Sequence, residues 1–529
     1  MESLLFEKPL LSSTVCIRCK RRKKKCDRTL PGCTRCSKLR VPCHYHFQIN
    51  GSSIQSEPIR TSIEQAAATS QPQTRNHFHE LLNPYNFSSP NASFQAVPGE
   101  LSVLNLDEQL TEQFWSIINR DAIEDGILSS CSLYFKFVHV WFPIISKETL
   151  FDQILQQRSS PKGEVAILVL AIHLVSQLYS KIPRETSTLQ QLYDTIKGLS
   201  GLFQSTGRSS IEMVQAGLLI AFYEHCQALH DAAYQTLGSC ARMGYILGLD
   251  KTLSQDALSD PISESIAARQ RQVWWGIITL ERISMLDCID KKLPFAIPSP
   301  SPSDILPSED GTRFQVSIGL SQQGKPADPS TVELSIGARI AQGAYLLGHV
   351  IDRVSTSKPS ISSCAAAHVD LTLRSYAMEL LKPAGHGHLC WPYAICLSAI
   401  LVLNRFEITV EPEPSEAHEK ENFQSRAALG LKSALRMMLD SMMSASKGAE
   451  ANLVAIPIWA LHRAQYAAVL SLDFGVVDDD LELWMSYIET VKRMLGAIEA
   501  RSNLAGNYLK AILDAEERRT QVLACHAHC

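Results

Sequence analysis

Apolar side chains recur at intervals of three and four residues through much of the chain from position 105 onward. This spacing places them on one face of a helix, whereas the alternation typical of strands is scarce. We therefore predict a large all-α region across residues 105–529, with a polar insert at about 298–335. Two clear runs are Leu218, Leu219, Phe222 and Tyr223, and Val273, Trp274, Ile277, Ile278, Leu280 and Ile283.

Residues 47–104 lack this periodicity and are rich in Ser, Gln, Asn, Pro and Thr. Such a composition is typical of a flexible, disordered linker. The isoleucines that open it are not at heptad spacing, and Gly51 and Pro58 interrupt them, so no coiled coil is predicted after residue 46. The chain is expected to act as a monomer or to form a homodimer through the large region.

Asp478–Met485 mixes acids with bulky apolar residues, a pattern shared by transcriptional activation segments and helix starts. The pattern favours a helix start, in which the aspartates complement the helix dipole. In that interpretation Leu481, Trp484 and Met485 pack inward.

Cysteine is concentrated near the start of the chain, where six of the 15 cysteines fall between positions 16 and 43. The first residues do not predict a secretory signal, and the longest apolar runs are too short to span a membrane. Clustered cysteines in an intracellular protein indicate a metal site more often than disulfides. The candidate ligands are Cys16, Cys19, Cys26, Cys33, Cys36 and Cys43.

The six cysteines form the pattern C-x2-C-x6-C twice, with an offset of 17 residues. Two tetrahedral zinc ions need eight ligand positions, and six thiolates supply them if two sulfurs bridge. The repeat makes Cys16 and Cys33 the natural bridging pair, which predicts two Zn2+ per chain. The alternative is one mononuclear site of Cys16, Cys19, Cys33 and Cys36, with spare cysteines or with His44 and His46 as stand-in ligands.

The net charge of −4 hides a segregation of charge along the chain. Between Cys16 and Cys43 there are 11 Lys and Arg and one acid, Asp27, while the rest of the chain holds 39 bases and 53 acids. A short basic module joined to an acidic body indicates a polyanionic partner. A run of six cations, residues 20–25, lies between two of the candidate ligands, and any helix it forms has no apolar face to bury.

The segment from Cys16 to Cys43 resembles the fungal binuclear zinc-cluster (Zn2Cys6) transcription factors. The family's first half follows C-x2-C-[RK]-x-R-K-x-K-C, and Pro31 matches the family's structural loop proline. The resemblance implies a metal-stabilised module with two short helices at residues 15–46, with Cys16 and Cys33 as bridging ligands. The side chains that fall on the family's basic pattern are Lys20, Arg22, Lys23 and Lys25.

The resemblance also implies how the module contacts double-stranded DNA. Arg22 and Lys23 are expected to reach base edges of CGG-type triplets in the major groove, where guanine is the usual acceptor. The other cations are expected to contact phosphates, which position the module without reading sequence. These phosphate contacts are assigned to Lys20, Lys25, Arg28, Lys38 and Arg40.

Residues 130–310 resemble, more weakly, the middle homology region that accompanies zinc clusters in fungal regulators. The matching stretches include 141–145, 241–249 and 271–282, and most of their residues are of the core-packing type. No ligand-binding residue can be carried over from the family. The pair Trp274 and Trp275 is interpreted as core rather than as a cofactor site.

These observations predict a nuclear, sequence-specific regulator of RNA polymerase II genes, with residues 1–14 as a tail. An activator of a pathway or gene cluster is favoured, working with the transcription machinery or coactivators and without a membrane. No catalytic motif appears in convincing form, so a non-enzyme is expected. The alternatives are a small-molecule sensor or enzyme with an accessory zinc module, and an RNA-binding protein, for which stacking aromatics are missing from the basic run.

Overall fold

The computed structural model divides into two compact units, Met1–Asn86 and Phe87–Cys529. The predicted tail 1–14 and linker 47–104 lie outside the described residues. The structure describes residues 15, 19–20, 22–28, 33–39, 124–156, 162–180, 186–254, 261–308, 312–317, 334–355, 364–381, 390–410, 417–446, 461–474 and 481–528.

The first unit contains a helical turn at residues 19–20 and one short helix, α1 (Thr34–Lys38). Among the residues described in this unit, the buried side chains are Cys19, Cys33 and Cys36, with Cys26 packed against them. A module of this size cannot bury enough apolar surface to fold on that basis alone. The predicted cysteine-centred module is confirmed.

The second unit is helical, as predicted, and in its described residues the β-pairing is limited to one bridge between Ile305 and Gln315. Short 3-10 or π turns follow several helices. The helices are α2 (Glu124–Leu133), α3 (Lys147–Gln156), α4 (Gly163–Ser176), α5 (Thr186–Ser205), α6 (Ile211–Cys226), α7 (His230–Ile246), α8 (Pro261–Met285), α9 (Ile336–Ser355), α10 (Cys364–Leu381), α11 (Cys390–Thr409), α12 (Ala417–Ser446), α13 (His462–Phe474), α14 (Leu481–Gly496) and α15 (Asn503–His528).

The core is built around two helices that are apolar on every face, α6 and α11. Helix α6 packs against α4, α7 and α8, and α11 packs against α9, α10, α12 and α13. The two apolar runs predicted from the sequence are buried on α6 and α8. Trp274 and Trp275 are both 1% exposed, which confirms their assignment to the core.

Helix α11 corrects the estimate of apolar run length made from the sequence. Its stretch Trp391–Thr409 has 19 residues and is long and apolar enough to cross a membrane by length and composition. Within the unit, 72% of this stretch is buried. Packing against four neighbouring helices therefore accounts for its apolar character.

The start of α14 agrees with the predicted helix in part. The helix begins at Leu481, and Trp484 is buried. Met485 is 41% exposed, so its predicted inward packing is wrong. The side chain of Leu481 lies outside the described residues, and its predicted packing stays a prediction.

A buried ion pair fixes the segment that follows α8. The Glu281 carboxylate bonds the Arg282 guanidinium and accepts the backbone N–H of Ala296 at 2.6 Å. Arg282 in turn donates to the carbonyl of Ile297 at 2.6 Å and stacks over the Phe295 ring, 4.0 Å from its centroid. Burial raises the pKa of Glu281 and lowers that of Arg282, and the opposite charge of each partner counteracts the shift of the other.

Helix α6 ends in a left-handed residue that is not glycine. Ala228 has φ 58°, while Leu229 N–H donates to the Glu224 carbonyl at 2.8 Å and Ala228 N–H to the His225 carbonyl at 2.9 Å. These are the two bonds of a Schellman motif, whose left-handed position is usually glycine because a Cβ is unfavourable there.

Replacing Ala228 by glycine should raise the free energy of unfolding of the second unit by about 0.5–1 kcal/mol, because the left-handed strain is relieved. Urea unfolding followed by circular dichroism measures the change. The matched control is Ala428→Gly on α12, an exposed helical alanine, which should lower stability by about 0.5–1 kcal/mol. Destabilisation by both substitutions would contradict the strain at residue 228.

Candidate metal centre

Three of the predicted ligands converge in the first unit. The Sγ atoms of Cys19, Cys26 and Cys33 all lie within 4.8 Å of one another, and those of Cys19 and Cys33 are 3.8 Å apart. Two sulfurs bound to one tetrahedral zinc at Zn–S distances of about 2.3 Å are expected about 3.8 Å apart. The three thiols therefore fit a single zinc ion in both donor type and spacing.

The fourth described cysteine belongs to the second half of the repeat. Cys36 is buried, and its backbone N–H donates to Cys33 Sγ at 3.4 Å. Such a bond stabilises a thiolate and orients it toward a metal. Cys33, the first cysteine of the second half, therefore has its sulfur among those of the first half and also accepts the backbone N–H of Cys36. Cys16, Cys43 and Pro31 lie outside the described residues.

The basic run is helical only at its start. Lys24 N–H donates to the Cys19 carbonyl at 2.9 Å and Lys23 N–H to the Lys20 carbonyl at 3.2 Å, while Lys23 has φ 50°. This is again a Schellman motif, with lysine at the left-handed position. Residues 24–28 have no regular structure, so the six cations do not form one continuous helix, and Arg22 and Lys23 stand at the turn that ends it.

The predicted DNA contacts that the structure describes are all exposed to solvent. Within residues 22–28 and 33–39, the one exposed apolar side chain is Leu39, next to Lys38. The cations are therefore surrounded mainly by solvent rather than by apolar surface. Arg40 lies outside the described residues. The exposed set is Lys20, Arg22, Lys23, Lys25, Arg28 and Lys38.

The module's single acid has a contact that its sequence position does not reveal. Both Asp27 oxygens accept the backbone N–H of Thr34, each at 3.1 Å. Thr34 is the first residue of α1, so the carboxylate satisfies one of the N–H groups left unpaired at a helix start. The count of charged residues in the sequence showed Asp27 as the one acid among the cations, but it did not indicate this hydrogen bond.

Comparison with known families bears on this cysteine module and on the second unit. The family described as "Fungal Zn(2)-Cys(6) binuclear cluster domain" matches residues 14–51, and the "Fungal specific transcription factor domain" matches residues 131–288. The chain carries both domains of the fungal binuclear zinc-cluster transcription factors. The zinc-cluster domain, together with the spacing of the three sulfurs, indicates that the module binds zinc.

Individual relatives cover only parts of this zinc-cluster protein. It is 33% identical over 116 residues to "Transcription factor BOA15" of Botryotinia fuckeliana, a match spanning 22% of this chain and 63% of that protein. It is 27% identical over 160 residues to "Lactose regulatory protein LAC9" of Kluyveromyces lactis, spanning 30% of this chain and 17% of that one. Each match covers less than two thirds of the relative's length.

The fungal-specific domain contains a buried polar cluster that the sequence did not indicate. Tyr508 on α15 donates to Asp287 at 2.9 Å, and burial raises the pKa of Asp287 to about 7. His225 Nε2 lies 3.8 Å from Asp287, but burial lowers the pKa of His225 to about 3. His225 is therefore neutral at physiological pH, and the approach is not an ion pair.

Two hydrogen bonds close to this polar cluster connect the end of α6 to the residues at the start of α15. Ser502 Oγ donates to the Cys226 carbonyl at 2.5 Å, and the Gln227 amide donates to the Arg501 carbonyl at 2.9 Å. Ser502 is 1% exposed. The matched domain 131–288 is therefore completed by polar contacts from residues 501–508, which lie outside it in sequence.

Proposed function

We propose that this chain is a sequence-specific DNA-binding transcription regulator of RNA polymerase II genes, acting as an activator in the nucleus. The observation that carries the proposal is a set of exposed cations, Lys20 and residues 22–25, that lies between the proposed zinc ligands Cys19 and Cys26. Metal ligation fixes the backbone of these residues. Their side chains can therefore be held in one orientation toward a groove of the DNA, which a flexible run of cations could not do. The two matched domains, a fungal binuclear zinc cluster and a fungal specific transcription factor domain, support the assignment to a DNA-binding transcription regulator.

The proposed organisation is a zinc-cluster DNA-binding domain at 15–46, a linker at 47–104 and an all-α regulatory region at 105–529. Two Zn2+ per chain are bound, with Cys16 and Cys33 bridging. The proximity of the Cys33 sulfur to those of the first-half residues Cys19 and Cys26 supports the bridging role of Cys33. The acidic second unit makes no favourable contribution to DNA affinity, and coactivators or the transcription machinery are its proposed partners.

Base reading is assigned to Arg22 and Lys23, directed at CGG-type triplets in the major groove. The support is their place at the end of the helical turn, where side chains project beyond the backbone. Phosphate contacts are assigned to the remaining exposed cations, with Lys25 as the clearest example because it lies outside the helical turn, in the irregular segment 24–28.

Removing the Lys23 ammonium should reduce discrimination between a CGG-type duplex and a scrambled duplex by about 10- to 100-fold, because one guanine contact is lost. The variant of choice is Lys23→Gly, since glycine fits the left-handed backbone at this residue and leaves the Schellman turn intact. Fluorescence anisotropy with both duplexes over a salt series measures the effect.

The matched control is Lys25→Ala. Loss of a phosphate contact should weaken binding to both duplexes alike and reduce the slope of log affinity against log salt by about one unit. An equal loss on both duplexes for Lys23→Gly would remove the base-reading assignment. Failure of the unmodified chain to prefer any CGG-type duplex would contradict the proposed function itself.

A further inference from the structure

Asp27 breaks the symmetry of the cysteine repeat. The offset of 17 residues that relates the two halves would place its counterpart at position 44, which is His44. Only the first half therefore carries a carboxylate directly after its last cysteine. An exposed acid in a segment of 11 cations opposes binding to any polyanion, so its presence calls for a compensating role.

The structure indicates what Asp27 contributes. It follows Cys26, a ligand of the first half, and its carboxylate accepts the N–H of Thr34, which follows Cys33. The hydrogen bond thus joins the irregular segment 24–28 to the start of α1. Zinc ligation fixes the sulfurs, but rotation of α1 about them is restrained by this additional contact between the halves.

The restrained elements carry cations with different assigned roles. Segment 24–28 presents Lys25 and follows directly from the base-reading turn at Lys23, while the last turn of α1 presents Lys38. Phosphate contacts from Lys38 and base contacts from Lys23 can form together only if α1 keeps one orientation relative to the turn. Binding to a scrambled duplex does not require this fixed orientation, because the module can shift along the DNA and still contact phosphates.

We propose that Asp27 is a positioning residue for sequence discrimination: its hydrogen bond to the Thr34 amide sets α1 relative to the base-reading turn. The inference rests on the proposed DNA-binding function. In this proposal the negative charge of Asp27 lowers the affinity for all DNA. Its hydrogen bond to Thr34 raises the preference for the specific site over other sequences.

Two substitutions of Asp27 in the full chain separate charge from geometry. Asp27→Asn removes the charge and keeps one oxygen that can accept the Thr34 amide, whereas Asp27→Ala removes both. Each should tighten binding to a scrambled duplex to the same extent. Asp27→Ala should lower the ratio of specific to scrambled affinity about five- to tenfold, as loss of a helix-capping bond implies, while Asp27→Asn keeps most of the ratio.

Thr34→Pro tests the same bond from the donor side. Proline lacks the N–H and is well tolerated at the first residue of a helix, and the Asp27 charge is retained. This variant should reproduce the lowered ratio of Asp27→Ala without the tighter binding to scrambled DNA. Zinc content, measured by mass spectrometry on the same samples, should stay equal to that of the unmodified chain in all three variants.

If Asp27→Ala and Thr34→Pro both leave the ratio of specific to scrambled affinity unchanged, the proposal is overturned. Asp27 would then affect DNA binding only through its negative charge. Loss of zinc from both variants would also overturn it, because the hydrogen bond would then be needed for metal retention rather than for discrimination. The preference of the unmodified chain for CGG-type DNA is measured first, before the variants are compared. If that preference is absent, the result contradicts the proposed function rather than the role of Asp27.

Discussion

Replacing Cys26 by alanine should abolish specific DNA binding, with a loss of about a hundredfold or more in affinity, and should release zinc from the module. The physical reason is that a structural zinc site supplies folding free energy of about 10–16 kcal/mol, which the module has no apolar core to replace. Cys26 Sγ lies within 4.8 Å of the sulfurs of Cys19 and Cys33, close enough for one zinc ion to bind all three. Anisotropy and zinc content of the purified chain measure both effects.

This substitution also distinguishes the two zinc stoichiometries. In a mononuclear site of Cys16, Cys19, Cys33 and Cys36, Cys26 would be spare, and its loss would leave zinc content and DNA binding intact. In the binuclear cluster the unmodified chain holds two ions, and Cys26→Ala loses at least one. The control is Cys525→Ala, an exposed cysteine on α15, which should leave zinc content and affinity unchanged.

Replacing Arg282 by alanine should lower the free energy of unfolding of the second unit by about 3–5 kcal/mol, because it leaves the Glu281 charge buried without its partner. Arg282 is fully buried, and it also bonds the Ile297 carbonyl and stacks on Phe295. The segment 293–297 would lose its main contacts with α8. Urea unfolding gives the change in free energy, and a fall in the midpoint without a change in slope indicates a pure stability effect.

The control for Arg282 lies on the same helix. Arg269 is exposed and donates to Thr149 Oγ1 at 3.1 Å, so Arg269→Ala should change stability by less than about 0.5 kcal/mol. The double variant Glu281→Gln with Arg282→Met should be less damaging than the sum of its parts, since it removes both charges. Additive losses would show that the two side chains act independently, against the paired geometry.

Local patterns predicted the zinc module and the helical class well, for physical reasons that act within a few residues. The C-x2-C spacing brings Cys33 and Cys36 together without help from the rest of the chain. The apolar interval of three and four residues likewise predicted the buried faces of α6 and α8. Such signals survive folding because tertiary contacts reinforce them.

Other features depend on residues far apart and left no local signal. Met485 was expected to pack inward together with Leu481 and Trp484, but its side chain is 41% exposed. Lysine at residue 23 and alanine at residue 228 do not mark a left-handed turn as glycine would. The contact of Tyr508 with Asp287 joins positions 221 residues apart, and no periodicity records it.

The contacts between the end of α6 and the start of α15 have a consequence for how this chain is made. The Cys226 carbonyl is capped by Ser502, which is synthesised 276 residues later. At a translation rate of about 5–20 residues per second, that interval lasts roughly 15–55 s. Throughout it the nascent chain presents an uncapped helix end and the apolar surface that α15 covers. This surface can therefore be buried only after residues 502–508 have been synthesised and can pack against the end of α6.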